Sequence, residues 1–362
     1  MDDLGVGVGQ RMRVLVTGHD GYIGTVLVPM LQAAGHDAVG LDNYLYELCT
    51  FGEGPVDPPA LRMDVRDVTS SELDGFDAVL HLAAISNDPV GDLNPSTTYA
   101  INHRAAASLA AAAKEAGVTR FVFSSSCSLY GKAGDEFLDE QAAFNPITPY
   151  GHSKMLAEQD MNRLADDGFS PTYLRNATAY GVSPRLRGDL VVNNLVGYAV
   201  TSGEVLIKSD GTPWRPLVHI EDISRAFLAV LDAPREVVHD QAFNVGATSE
   251  NYRISEVAAI VEEVVPGSRV RYAEGGGPDA RCYRVDCDKL PSLVPSFKTT
   301  WTVRRGVEEL YEAYVAAGVT LAEFESSRFL RIKHVRQLQD EGVLDEGLRR
   351  RDSVIPGTAR GS

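Results

Sequence analysis

Three regularly spaced glycines follow a short apolar run near the start of the chain. Residues 13–16 predict a strand, and Gly18, Gly21 and Gly24 come directly after it. A helical pattern then covers residues 22–34, and a second apolar run covers residues 36–41. A strand, a glycine turn and a helix in this order let the backbone approach a pyrophosphate at the helix N-terminus. The fingerprint therefore favours a dinucleotide-binding βαβ unit.

The alternation of strands and helices continues along the chain. Apolar runs at residues 78–82, 120–125 and 171–174 predict strands, and residues 97–116 and 150–167 predict helices. Such alternation is typical of α/β proteins with a Rossmann-type, doubly wound parallel sheet. After Tyr180, Gly and Pro become frequent, a helix starts near Leu190, and shorter elements follow. We expect a smaller mixed α/β substrate-binding domain in that part.

Residues at the predicted strand ends indicate which dinucleotide is bound. Asp42 closes the second strand, where its carboxylate can hold the adenosine ribose hydroxyls and would repel a 2′-phosphate. NAD is therefore favoured over NADP. Asp64 lies where an adenine amino group could be read, and a loop cap is the alternative role. The small residues at positions 82–84 let the dinucleotide pass closely or simply pack.

A tyrosine and a lysine at the start of the second long helix indicate redox chemistry. Tyr150 and Lys154 are four residues apart, so both side chains lie on one helix face. The nearby positive charge favours the phenolate. Such a tyrosine can take a proton from a sugar hydroxyl while a nicotinamide takes the hydride, and a serine from the run at 124–126 can hold the same oxygen.

These patterns divide the chain into three expected regions. A NAD-binding Rossmann domain covers residues 11–180, and a substrate-binding region, able to contribute elements back to the first domain, covers residues 181–320. Residues 321–362 carry a charged helical pattern and then a Pro/Gly/Ser end, which predict a surface helix and a flexible tail.

Charge and cysteine content exclude several classes of function. The net charge of -16 argues against binding to nucleic acid or to an anionic membrane, because both need a basic surface. Apolar stretches end well before 18 residues and the N-terminus has no signal-peptide pattern, so we expect a cytoplasmic protein. Cys49, Cys127, Cys282 and Cys287 have neither metal-type spacing nor the density of a disulfide framework. Reduced thiols and no metal site are expected.

The motifs together resemble the extended short-chain dehydrogenase/reductase family, in particular its branch of NAD-dependent sugar-nucleotide epimerases and dehydratases. The resemblance covers about residues 13–314 and rests on the glycine fingerprint, on His81 to Ala84, on Asn102, on Ser124 to Gly131, and on Tyr150 with Lys154. It implies a catalytic triad of Ser126, Tyr150 and Lys154, in which Lys154 also binds the nicotinamide ribose. The implied NAD-binding residues are Gly18, Gly21, Tyr22, Ile23, Gly24, Asp42, Asp64, Val65, Leu82, Ala83, Ala84, Asn102, Ser124, Tyr150 and Lys154.

The same resemblance implies a nucleotide-diphosphate sugar as the substrate. Asn194 lies in a segment similar to the family's diphosphate-binding helix start, and Arg215 and Arg281 resemble its phosphate-binding arginines. A planar guanidinium can grip phosphate oxygens in pairs, although surface salt bridges are the alternative. Thr178 stands where the family usually has an asparagine, so the chain departs from the family pattern at this position. The implied substrate-binding residues are Ser126, Thr178, Asn194, Arg215 and Arg281.

The two residues that directly follow the triad serine narrow the choice of reaction. The dehydratases that this chain resembles carry an Asp-Glu pair there, whereas this chain has Cys127 and Ser128, which replace a carboxylic acid and a carboxylate base poorly. The family's 3,5-epimerases have a cysteine at the position of Ser128, so Cys127 is offset by one and is interpreted as a small buried residue. An epimerase working through a transient 4-keto intermediate remains. The alternatives are an NAD(P)H-dependent reductase of 4-keto sugar nucleotides and a non-catalytic dinucleotide-binding protein.

The two predicted long helices also carry information on the oligomeric state. Residues 97–116 and 150–167 carry small apolar residues on one side. In the family that this chain resembles, such helices pair into a four-helix interface, which implies a homodimer.

Overall fold

A computed structural model describes residues 11–273 and 281–351. The strands are β1 (Arg13–Thr17), β2 (Asp37–Asp42), β3 (Ala60–Arg62), β4 (Ala78–His81), β5 (Arg120–Ser126), β6 (Lys132–Leu138), β7 (Ser170–Asn176), β8 (Thr178–Tyr180), β9 (Glu204–Ile207), β10 (Trp214–His219), β11 (Gln241–Val245), β12 (Asn251–Arg253), β13 (Arg269–Tyr272) and β14 (Cys282–Val285). The helices are α1 (Gly24–Ala33), α2 (Asp88–Leu93), α3 (Pro95–Tyr99), α4 (Ala106–Glu115), α5 (Pro149–Asn162), α6 (Val191–Ser202), α7 (Ile220–Asp232), α8 (Arg235–Val238), α9 (Ile254–Val264), α10 (Lys289–Leu293), α11 (Val303–Ala316), α12 (Leu321–Phe324) and α13 (Arg331–Asp340).

Seven parallel strands form the central sheet in the order β11-β7-β5-β4-β1-β2-β3. Val14, Leu15 and Val16 in β1 have no exposed surface, because helices cover both faces of the sheet. Leu15 packs into one apolar cluster, and Val14 and Val16 pack into another on the opposite face. This arrangement confirms the predicted Rossmann-type, doubly wound parallel sheet. The strand β11 comes from the predicted substrate-binding region.

The first long helical pattern is realised in three joined parts. After α3, a π-helical turn spans Ala100–Ala105 and leads directly into α4. The predicted helix at 150–167 starts as expected but ends at Asn162. Its early end has a local cause, because the Asp166 carboxylate accepts hydrogen bonds from the backbone N–H groups of Gly168 and Phe169 and so forms a turn.

Three small sheets form outside the central one. Strands β12, β10 and β8 form the first, β13 pairs with β9, and β14 pairs with β6. An apolar cluster joins this mixed α/β part to α6, α9 and α11 through Val196, Val257 and Leu310, none of which is exposed. The smaller mixed α/β layer that we expected after Tyr180 is therefore present, and it faces the carboxyl ends of the central strands.

The segment after α12 packs back onto the Rossmann core. Val335 and Leu338 on α13, together with Leu344 and Leu348, belong to the same buried apolar cluster as Leu15. We expected a surface helix here, but the apolar residues at this spacing give the helix a buried face. The predicted tail at residues 352–362 lies outside the described residues. None of the helices in the described ranges has an apolar stretch that would cross a bilayer.

Candidate active site

A cleft of about 860 Å³ lies at the carboxyl ends of β1, β2, β4, β5 and β7, where doubly wound sheets bind their ligands. It brings together all but one of the predicted site residues. These are Gly18, Gly21, Tyr22, Ile23, Gly24, Asp42, Asp64, Val65, Leu82, Ala83, Ala84, Ser124, Ser126, Tyr150, Lys154, Thr178, Asn194, Arg215 and Arg281. The exception is Asn102.

Asn102 holds the loop after β4 through two hydrogen bonds to its backbone. Its side chain is fully buried, its Nδ2 donates to the Ile85 carbonyl at 2.9 Å, and its Oδ1 accepts from the Ile85 N–H at 2.7 Å. Ile85 itself lines the cleft. Asn102 therefore shapes the cleft through Ile85 and does not line it.

The glycine turn at the end of β1 is built for close backbone approach. Gly18 has a φ of +74°, which disfavours any other residue, and a Cβ there would lie 2.8 Å from the Ala83 backbone nitrogen. A Cβ at Gly24 would overlap the Gly18 carbonyl oxygen. The two glycines thus let the turn pack against the loop after β4 and against itself. Gly18, Gly21 and Gly24 also line the cleft beside the start of α1, so the residues present fit a dinucleotide diphosphate.

Asp42 and Asp64 lie on the same side of the cleft, beyond the glycine turn. The Asp42 carboxylate accepts the backbone N–H groups of Tyr44 at 2.7 Å and Asp20 at 3.2 Å, so it is held at the end of β2. Asp64 caps a short helical turn and pairs with Arg66 at 2.6 Å. Burial alone would raise the pKa of Asp64, but the hydrogen bonds from Arg66 hold it below its usual value. Asp64 thus has the capping role weighed from the sequence, at a position that also lines the cleft.

The predicted triad meets in the middle of the cleft. Ser126 ends β5, and its hydroxyl accepts the backbone N–H of Ser128 at 3.1 Å. Tyr150 lies in the first turn of α5, which Thr148 caps. Burial raises the pKa of Tyr150 to about 12, and a hydrogen bond with the Ser126 side chain opposes this rise. The expectation that the phenolate is favoured is therefore corrected, because desolvation outweighs the lowering by Ser126 and by the charge of Arg187.

Lys154 is buried behind the tyrosine. Its Nζ donates to the Ser124 carbonyl at 2.7 Å and lies 5.9 Å from the centre of the Tyr150 ring. Burial lowers the pKa of Lys154 to about 7, although the carboxylate of Glu158 opposes this shift. The Lys154 amino group is thus held close to the tyrosine, and its pKa lies near neutral pH.

A buried ion pair supports the strand and the helix that carry the triad. Glu158 lies one turn after Lys154, and its carboxylate pairs with Arg175 of β7 at 2.7 Å. The same carboxylate accepts the Ser125 hydroxyl at 2.5 Å. Because Ser125 lies between two cleft residues of β5, this network ties β5, β7 and α5 together. Sequence analysis missed it.

The other end of the cleft carries the candidate phosphate-binding groups. Arg215 is buried on β10, and one of its terminal nitrogens donates to the Trp214 carbonyl at 2.8 Å and to the Arg281 carbonyl. Arg281 extends across the cleft and pairs with Asp88. Asn194 lies in the first turn of α6 and donates to the Gly188 carbonyl at 2.7 Å. All three predicted residues line the cleft, and Arg215 and Arg281 are in direct contact.

The loop from Ser86 to Asp88, which leads into α2, is tied to residues from much later in the chain. Arg187 donates to the Ser86 hydroxyl at 3.0 Å, and Asn87 donates to Asp189 at 2.5 Å. Arg187 and Asp189 also pair with each other at 2.6 Å. These residues line the cleft. Sequence analysis did not select Arg187 or Asp189, although a charged loop just before a predicted binding helix was the signal available.

Thr178 and Asn176 share the cleft wall behind the triad. Thr178 is partly buried on β8. Two residues earlier, Asn176 donates to the Ser124 hydroxyl at 3.0 Å, while its Oδ1 is buried and has no donor in the described part of the chain. An amide oxygen is therefore available from Asn176, a residue that sequence analysis did not select.

Cys127 and Ser128 differ in their access to the cleft. Cys127 is buried, its thiol donates to the Arg175 carbonyl at 3.1 Å, and burial raises its pKa well above the usual value. Ser128 lines the cleft and accepts the Ser126 hydroxyl at 3.1 Å. Cys127 is thus placed as a packing residue.

Comparison with known proteins identifies related chains. The model of the NAD-dependent epimerase/dehydratase family matches residues 14–246. A UDP-glucose 4-epimerase of Lactobacillus helveticus is 32% identical over 74% of this chain and 87% of its own length. The UDP-glucose 4-epimerase of Mus musculus is 29% identical over 83% of this chain and 94% of its own.

A solved structure shares both the fold and part of the sequence. MoeE5 in complex with UDP-glucuronic acid and NAD superposes with a TM-score of 0.73 at 28% identity. The match covers 84% of this chain and 99% of MoeE5.

Proposed function

The chain belongs to the NAD-dependent epimerase/dehydratase family, as the sequence resemblance predicted, and we propose that it is an NAD-dependent 4-epimerase of a nucleotide-diphosphate sugar. UDP-glucose and UDP-galactose are the first substrates to test, because the related epimerases named above act on UDP-glucose.

One observation carries this proposal. Ser126, Tyr150 and Lys154 line the same cleft as the glycine turn on one side and the two arginines on the other. A sugar joined to a diphosphate that Arg215 and Arg281 hold would therefore lie over the triad. A cofactor seated on Gly18 and Asp42 would approach the triad from the opposite side.

The residues of this chain then have separate tasks. When bound, NAD supplies the acceptor and donor of a hydride. The Ser126 hydroxyl orients the reacting sugar oxygen, and Tyr150 takes its proton as the sugar is oxidised to a 4-keto intermediate. Tyr150 must be a phenolate to take that proton, and the Lys154 ammonium stabilises this form electrostatically before the proton is taken and again after it is returned. Tyr150 returns the proton after the sugar has presented its other face.

The neighbourhood of the triad favours epimerisation over dehydration. Elimination of water needs a second acid and base beside the triad, and the adjacent side chains are Cys127, which is buried with a raised pKa, and the neutral Ser128. The arrangement therefore supports oxidation and reduction at one carbon without elimination.

An isotope experiment tests the proposal against the reductase alternative. UDP-glucose deuterated at C4 is incubated with the enzyme and catalytic NAD, and the products are followed by NMR and mass spectrometry. We expect UDP-galactose that keeps the deuterium at C4 and no net NADH. In a second incubation the enzyme receives NADH and a 4-keto sugar nucleotide, and stoichiometric consumption of NADH there would favour the reductase. No turnover of any nucleotide sugar would favour the non-catalytic alternative.

We also propose that the enzyme is a cytoplasmic homodimer. Cys49, Cys127 and Cys287 are buried as free thiols, the form that a reducing compartment maintains. On the outer side of α4, Ser108 and Ala111 are exposed small residues beside the neighbouring α5, which suits close packing of helices from a second copy.

A further inference from the structure

Asp88 stands out among the polar residues that line the cleft. Its Oδ2 pairs with Arg281, but its Oδ1 is buried and no donor in the described part of the chain reaches it. The side chain keeps 24% of its surface exposed, and the residue lines the cleft. A carboxylate oxygen without a donor in such a position is costly unless a ligand supplies the hydrogen bond.

Asp88 also lies near the reacting end of the cleft. Burial raises the pKa of Tyr150 most strongly, and the negative charge of Asp88 raises it further. Arg187, a buried cation that also lines the cleft, is held by Asp189 and the Ser86 hydroxyl. A negatively charged sugar placed beside Oδ1 of Asp88 would therefore meet a carboxylate oxygen in a partly desolvated space, whereas Arg281 pairs with the other oxygen.

We propose that Asp88 is a specificity-determining residue that accepts a hydroxyl of an uncharged sugar through Oδ1 and rejects hexuronates. Through Oδ2 the same carboxylate orients Arg281, so the sugar and the diphosphate are aligned by one side chain. This inference rests on the proposed function, since it assumes that the cleft binds a nucleotide sugar. The hydrogen bonds of Ser86 and Asn87 described above hold the loop before Asp88. The Asp88 carboxylate is therefore kept in one position when it discriminates between the two kinds of sugar.

The test compares UDP-glucose with UDP-glucuronate in wild-type enzyme and in Asp88→Asn, which keeps the shape but removes the charge. We expect wild type to favour UDP-glucose at least 10-fold in kcat/KM. Asp88→Asn should narrow that ratio at least 10-fold, mainly by raising KM for UDP-glucose and lowering KM for UDP-glucuronate. Asp92→Asn, on the exposed side of the same helix, is the matched control and should leave the ratio unchanged.

Equilibrium binding of both nucleotide sugars to the NAD-loaded proteins gives a readout that does not depend on turnover. If neither sugar is turned over, the proposed reaction fails, yet the binding ratio still decides the role of Asp88. Equal binding of the two sugars by wild type, or a ratio that Asp88→Asn leaves unchanged, overturns the inference.

Discussion

At the scale of single residues, the motifs predicted positions better than protonation states. The helical spacing placed Tyr150 and Lys154 on one face, and both line the cleft. Spacing carries no information on burial, so it missed that desolvation moves the tyrosine pKa up and the lysine pKa down. It also missed Asp88 and Arg187, whose importance comes from their distant partners Arg281 and Ser86.

Replacing Tyr150 by Phe tests the proton-transfer role. We expect turnover to fall by about 10²-fold or more, because only the reacting oxygen is removed. NAD affinity, measured by titration of the stripped protein, should stay within a factor of a few. Tyr198→Phe is the control, since that hydroxyl bonds Glu325 and lies outside the cleft. Near-normal activity of Tyr150→Phe would refute the assignment.

The lowered pKa of Lys154 predicts how stability depends on pH. Burial brings that pKa to about 7, whereas an unfolded lysine keeps its proton to about pH 10. Between these values the unfolded state binds more protons, so the Lys154 contribution to the free energy of unfolding rises with pH, by at most about 1.4 kcal/mol per unit. Below about pH 7 both states are protonated and the contribution no longer changes.

Urea denaturation of the stripped protein measures this effect. Relative to Lys154→Met, the wild-type free energy of unfolding should increase by about 2 kcal/mol between pH 6.5 and 8.5. The comparison cancels the contributions of other titrating groups. A constant difference between the two proteins would show that Lys154 stays charged in the fold.

Asp42 is expected to set the preference for NAD over NADP. Asp42→Ala should weaken NAD binding and reduce the preference for NAD, because the carboxylate that would repel a 2′-phosphate is removed. Titration of both dinucleotides into stripped protein measures this. The exposed Asp74→Ala is a control that should change neither affinity. Tighter binding of NADP by wild type would contradict the role.

At the scale of elements, buried parallel strands were predictable because each is a short apolar run. The strand β3 was not, since its three residues are mostly exposed and it is defined by pairing with β2. The π-helical turn at Ala100–Ala105 was also missed, because its sequence reads as ordinary helix. That turn carries Asn102, whose side chain holds the backbone of the loop after β4.

Asn102→Ala tests this connection between two elements. It leaves the buried N–H and C=O of Ile85 without their partner, which should lower the free energy of unfolding by roughly 2 to 5 kcal/mol. Chemical denaturation measures the change. Asn162→Ala removes a surface amide and should change stability by no more than about 0.5 kcal/mol. Equal effects of the two substitutions would argue against a stabilising role of the Asn102–Ile85 hydrogen bonds.

At the scale of the whole molecule, the division of the chain could be predicted only in part. The increase in Gly and Pro after Tyr180 marked the mixed layer. Residues 181–320 were expected to be able to contribute elements back to the first domain, but local patterns could not show that β11 would be the strand that pairs with β7. The charged composition of α13 likewise concealed its few buried apolar residues.

A charged substitution on the outer face of α4 tests the proposed homodimer. Wild type should be a dimer by light scattering at micromolar concentration. Ala111→Arg should produce monomers, because it places a bulky charge where small residues would pack against the second copy. Ala316→Arg, at the exposed end of α11, is the control and should remain dimeric. A monomeric wild type would overturn the proposal.

The packing of the C-terminal segment onto the Rossmann core matters for synthesis on the ribosome. Leu330, Arg331, Ile332 and Leu348 line the cleft, and Arg66 donates to the Gly347 carbonyl at 2.7 Å. At ordinary translation rates these residues emerge roughly 15 to 60 s after β1. The nascent chain therefore carries its glycine turn and its triad long before the cleft is closed. We expect the chain to retain NAD fully only after residues 330–348 have been translated, so chains released before that point would hold the cofactor poorly.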